Sequence, residues 1–99
     1  MKNRLVEAFE REIDPHDRFA SCMEWFFTIC HVIHHKYGRW SIPDHLEYTP
    51  SPLDTHIDFD EYELISDYSI DKSSLSELIE AGEFLINFRQ MLAENGEDY

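Results

Sequence analysis

Histidine and cysteine are the residue types of this chain best suited to chemistry, with six of the first and two of the second. His31 and His35 stand four residues apart, a spacing that on a helix offers two imidazoles to one metal ion. Cys30 and His34 repeat that spacing one residue earlier. A helical wheel separates the two pairs: Cys30 falls on an apolar stripe, whereas His31 and His35 fall near Glu24 on the polar side. Further ligands would have to come from His16, His45 or Asp44, and the chain has neither a CxxC pair nor an HExxH motif. The simpler reading is surface histidines near a helix C-terminus, where their charged form is favoured, with no metal and no cofactor.

Cys22 and Cys30 lie within one predicted helix. Eight residues of helix rise about 12 Å, against about 4.4–6.8 Å between the Cα atoms of a disulfide. Reduced thiols that fill core space are therefore expected. Neither cysteine has an activating neighbourhood, and no GxSxG motif is present. The glycines, Gly38, Gly82 and Gly96, are too scattered to form a phosphate-cradling loop. The chain has 21 acids, but no pair is set apart by its surroundings for acid–base work. These readings point away from an enzyme.

The elements that must position these residues read as helices. Leu5, Val6, Phe9 and Ile13 recur at helical spacing. Asp14-Pro15 reads as an N-cap and first helical residue, opening a second helix over 15–37 that stops at Gly38. Its apolar face takes Phe19, Cys22, Phe26, Ile29, Cys30, Ile33 and Tyr37, with Trp25, Phe27 and Val32 outside it. So much apolar circumference predicts a central helix. Residues 38–59 contain Pro43, Pro50 and Pro52 and read as largely irregular, with one helical turn available at 42–46. Between Asp54 and Asp67 the pattern fits a strand at Ile57 and Phe59, or a short helix near 60–67.

The last helix has the clearest signals. Ser74 and Glu77 form a capping box, and Asn95-Gly96 is the stop. Leu75, Leu78, Ile79, Gly82, Leu85, Ile86 and Leu92 share a face with Phe88 beside it, opposite Glu80, Glu83, Asn87, Gln90 and Glu94. Arg89 projects on the apolar side, as a stem over hydrophobic surface or as part of an interfacial ion pair. Gly82 reads as a place of close packing. The expected architecture is mainly α: one domain over 1–99, a small bundle of three main helices with a long irregular acidic connection.

Net charge is −13, divided unevenly: residues 1–50 carry −2 and residues 51–99 carry −11. Direct binding to nucleic acid or an anionic membrane is disfavoured, and a basic protein partner is favoured. No stretch approaches the ~20 apolar residues of a membrane span, and no signal peptide is evident, so a cytoplasmic location is expected. A domain this small gains from extra buried area, which makes a homodimer an option. Trp25, Trp40, Tyr48 and Tyr62 are candidate interface anchors, with Trp40, beside Arg39, the best placed for exposure.

In size, acidity and helicity the chain resembles the small acidic phage proteins that block host nucleases, restriction enzymes and CRISPR complexes, some by mimicking DNA. Ile42-Pro43-x-x-Leu46-Glu47-Tyr48-x-Pro50 and the ending Ala93-Glu94-Asn95-Gly96-Glu97-Asp98-Tyr99 look like pieces of small phage and prophage proteins. The resemblance implies a non-enzymatic inhibitor that occupies the basic nucleic-acid-binding surface of a host defence protein. The partner-binding residues would be Asp54, Asp58, Asp60, Glu61, Glu63, Asp67, Glu80, Glu83 and Trp40. The alternative is a dimeric structural or regulatory interaction module working through Trp25, Trp40 or Arg89; a metal-binding helical domain stands third.

Overall fold

The computed structural model describes residues 3–47 and 70–95. Three helices make the frame: α1 (Arg4–Glu12), α2 (Arg18–Tyr37) and α3 (Leu75–Glu94). Among the described residues, three short 3₁₀ turns lie between α2 and α3, Arg39–Ser41, Asp44–Leu46 and Ile70–Lys72, and no strand occurs. The protein is mainly α, as its periodicity predicts.

Asn3 opens α1, its side-chain oxygen accepting from the backbone N–H groups of Leu5 and Val6 at 2.8 and 3.3 Å. The helix then buries Leu5, Val6, Ala8 and Phe9 on one face. α2 begins later than Asp14-Pro15 predicts. Asp17 is the N-cap, accepting from Ala20 N–H at 3.1 Å. Asp14 instead folds back on itself, its carboxylate accepting from His16 N–H and its carbonyl from Asp17 N–H. An aspartate before proline suits such a local turn as well as a cap, and the second aspartate takes the cap.

α2 is the central helix and makes its largest interface with α3. Phe19, Cys22, Phe26, Ile29 and Ile33 are buried as the wheel requires. Trp25 and Met23 are buried too, although the wheel leaves Trp25 outside the stripe. The reason is α1, whose Phe9 meets Trp25 edge-to-face at 5.7 Å and closes the side of α2 that a two-helix packing would leave open. Phe9 also meets Phe84 at 6.2 Å and Phe88 at 5.2 Å, each steeply inclined. Such edge-to-face pairs contribute about 0.5–1.5 kcal/mol each beyond area burial. Tyr37, placed on the stripe by the wheel, is exposed because the last turn of α2 overshoots the core; its hydroxyl donates to the Ser73 carbonyl at 3.2 Å.

The capping box of α3 is present in both directions, Ser74 with Glu77. Leu78, Ala81, Gly82, Leu85 and Leu92 are buried, and Leu75, Ile79, Ile86 and Phe88 pack partly buried against the core. The start of α1 is tied to this helix by polar bonds. Asn3 Nδ2 donates to the Glu77 carbonyl at 2.9 Å and to Glu80 Oε1 at 3.1 Å, while Arg4 Nε lies 3.1 Å from Glu77 Oε2. Asn3 therefore caps one helix and fastens it to another.

Candidate partner-docking site

The feature that positions a site is the end of α2. Gly38 has φ +94 and ψ 154, a conformation open to glycine and strained for any other residue. Its N–H still closes the helix onto the His34 carbonyl at 3.1 Å, but the chain leaves in a new direction. The turn Arg39–Ser41 follows, held by Ser41 N–H to the Gly38 carbonyl and by the Ser41 hydroxyl to the Tyr37 carbonyl at 2.9 Å. Pro43 precedes the second turn, Asp44–Leu46, closed by Leu46 N–H to the Pro43 carbonyl at 2.9 Å.

The result is an arm, residues 38–47, fixed at both ends. At its far end Leu46 is 1% exposed and seats against Gly82 of α3, with Ile29 of α2 also beside that glycine. His45 Nε2 lies 3.6 Å from Glu83 Oε2 on the same helix, an exposed contact of small energetic weight. Trp40, in the middle of the arm, is 92% exposed. The Arg39 guanidinium carbon lies 5.8 Å from the centroid of the indole. The largest apolar side chain in the repertoire thus stands in solvent on a backbone secured on both sides.

Two small hollows flank the arm. One of about 170 Å³ is lined by Arg39, Trp40, Ile42, Asp44 and Glu47. The other, about 200 Å³ and mainly apolar, is lined by Phe26, Phe27, Cys30, Ile42, Leu46 and Glu47. Both fall below the ~300–1,000 Å³ usual for small-molecule pockets. Arg39, Asp44 and Glu47 are contributors that the partner-binding residues expected from sequence do not include. The signal for them is the two helical turns on either side of Pro43, which bring residues scattered along the arm to one rim.

Of the residues expected to bind a partner, Trp40 is exposed on the arm, and Glu80 and Glu83 are exposed on α3. The two glutamates do not stand apart as a bare acidic surface: Glu80 accepts from Asn3, and Glu83 faces His45. Asp54, Asp58, Asp60, Glu61, Glu63 and Asp67 lie outside the described residues, as do Tyr48 and Tyr62. Of the other aromatic and arginine candidates, Trp25 is core, and Arg89 is half-buried with its guanidinium carbon 5.4 Å from the Phe19 ring centroid.

The histidines form an exposed cluster at the end of α2, the rings of His31 and His35 lying 4.3 Å apart. Burial, and then the charges of His35 and His34, hold the His31 imidazole below its ordinary pKa. Among the described residues no group of three or more His, Cys, Asp or Glu is placed to hold a metal ion. Both cysteines are free thiols, and burial pushes each up to about 12, against the opposing charge of Arg89 in the case of Cys22. Cys22 donates to the Leu85 carbonyl at 3.2 Å. Thiols so protonated are poor nucleophiles. No helix among the described residues is long and apolar enough to cross a membrane.

No protein-family model matches the chain, and comparison with curated proteins and with solved structures finds no match either.

Proposed function

We propose that this chain is a non-enzymatic binding protein that docks on a basic protein partner, with Trp40 as its anchor. The observation that carries the reading is the 92% exposure of an indole on an arm secured by Gly38 at one end and Leu46 at the other. An isolated exposed Trp loses little rotamer freedom when covered, and tryptophans are prominent among the few residues that dominate binding energy. The net charge of −13 selects a basic partner and speeds the encounter.

Nucleic-acid-handling proteins carry such basic surfaces. The concentration of acids in residues 51–99 fits competition with a polyanion for that surface, as in the phage inhibitors of host defence that the chain resembles. The alternative is a homodimer, favoured by one specific feature: the apolar hollow beside the arm gives Trp40 of a second copy a place to insert.

Affinity capture from a bacterial lysate at low and high salt tests the reading, run with the unaltered chain, Trp40→Ala, and a variant with amides at positions 58, 60, 61 and 63. A basic protein captured at low salt, released by high salt and reduced about tenfold by Trp40→Ala is the expected result. Equal capture by Trp40→Ala removes Trp40 as the anchor. Capture unchanged in the amide variant removes the polyanion-mimic reading. Sedimentation of the purified chain reads the dimer directly.

A further inference from the structure

We propose that the hollow beside Trp40 receives a cationic side chain, arginine or lysine, from the partner; this rests on the reading of Trp40 as the docking anchor and names the chemistry it meets.

The hollow combines an indole, two carboxylates and one aliphatic wall. Asp44 and Glu47 stand three residues apart across a 3₁₀ turn, where side chains at i and i+3 eclipse, so the turn sets both on one side. Their separation from Trp40 along the chain is short enough for the arm to present all three to one guest. The face of a tryptophan is the strongest aromatic partner for a cation. A carboxylate adds charge-assisted hydrogen bonds, bidentate for guanidinium. Ile42 supplies apolar surface of the kind that a methylene stem covers. At about 170 Å³ the hollow has room for one such side chain.

Arg39 both supports and limits the site. Its guanidinium carbon, 5.8 Å from the indole centroid, is a tethered cation within reach of the ring without covering it. It offsets one of the two carboxylate charges and leaves the hollow net negative. An anionic guest would have Arg39 alone on its side, against Asp44, Glu47 and the charge of the whole chain. A cationic guest meets one like charge, on an exposed side chain with solvent to swing into. Removing Arg39 therefore strengthens cation binding, an outcome peculiar to this arrangement.

The test uses short glycine-flanked peptides containing one arginine, one citrulline or one glutamate, titrated into the full chain and followed by the indole N–H resonances in NMR. Trp25, buried in the core, supplies a second indole that reports whether each variant is folded. A saturable shift at Trp40 with the arginine peptide and not with citrulline is expected, weakened about tenfold by Asp44→Asn with Glu47→Gln and strengthened by Arg39→Gln. Equal response to citrulline, indifference to the amide pair, or absence of a saturable shift overturns the proposal. A shift with the glutamate peptide that disappears in Arg39→Gln overturns it as well, since the site would then be one for anions. If lysate capture depends on Trp40 but not on Asp44 and Glu47, the docking role stands and this proposal falls.

Discussion

Leu46 Cδ1 lies 3.2 Å from the point where a β-carbon on Gly82 would stand. That contact seats the arm against α3, and the glycine is what makes it possible. Alanine at position 82 brings about 1 kcal/mol of helix propensity and a close contact with a fully buried leucine, with overpacking costs of about 1–3 kcal/mol. We expect Gly82→Ala to lower stability by about 1 kcal/mol and to move the Trp40 indole resonance. Denaturant unfolding and the NMR spectrum check both. A stabilised variant with Trp40 unmoved would mean that Leu46 gives way freely and does not hold the arm.

Asn3 separates capping from fastening. Asparagine and aspartate cap helices about equally well. Here the amide also donates to the Glu77 carbonyl and to the Glu80 carboxylate. Asn3→Asp keeps the cap and sets a second carboxylate against Glu80. It should therefore cost about 1–2 kcal/mol at low salt and recover in part at high salt, which screens the repulsion. Asn3→Ala should cost a similar amount with no recovery. Urea unfolding at two salt concentrations tells the two variants apart.

Acid should weaken the fold in two stages. Glu77 is held below its ordinary value of 4.5, first by the Ser74 backbone N–H, with the Ser74 hydroxyl and Arg4 adding to it against slight burial. The folded state thus releases this proton more readily than the unfolded one. Its contribution is complete above about 4.5 and disappears as pH falls through the lowered folded value. His31, held below 6.5 by burial and by its two histidine neighbours, resists protonation in the folded state. Stability therefore also declines as pH falls from about 6.5. Glu77→Gln should flatten the lower stage of the stability profile and His31→Gln the upper one. Unaltered profiles would remove these groups as the cause.

The two tryptophans should respond very differently to replacement. Phe9→Ala removes the ring shared by Trp25, Phe84 and Phe88 and should cost about 3–5 kcal/mol, a large part of the ~5–15 kcal/mol typical of a domain. Trp25→Ala belongs to the same class. Trp40→Ala, with almost nothing packed on it, should change stability by no more than about 0.5 kcal/mol. Calorimetry on the three variants checks this; a destabilising Trp40→Ala would make the indole a structural member of the arm and count against the proposed anchor.

The frame of the fold was legible because its signals are local. Ser74 with Glu77, and the spacing of Leu78, Leu85 and Leu92, need nothing from the rest of the chain to be read. The start of α2 was less so, since Asp14 and Asp17 both have cap chemistry and only their turn geometry separates them. Trp25 escaped the wheel because its burial depends on Phe9, sixteen residues away on another helix. The site was legible only in part. Trp40 stands out by type and neighbourhood, but Asp44 and Glu47 join it through a turn that hydrophobic periodicity does not encode. The acidic residues from Asp54 to Asp67 fall in the stretch the structure does not describe.

The two silent thiols have a practical consequence for anyone who wishes to watch the arm. With Cys22 and Cys30 both pushed up to about 12, maleimide or disulfide reagents near neutral pH find almost no thiolate in the folded chain. A single cysteine introduced at an exposed position such as Lys36 would be the fast-reacting one. A dye or spin label can then be placed beside the arm without first stripping the core of its own sulfur, and slow labelling of the native pair becomes a clock for the opening of the fold.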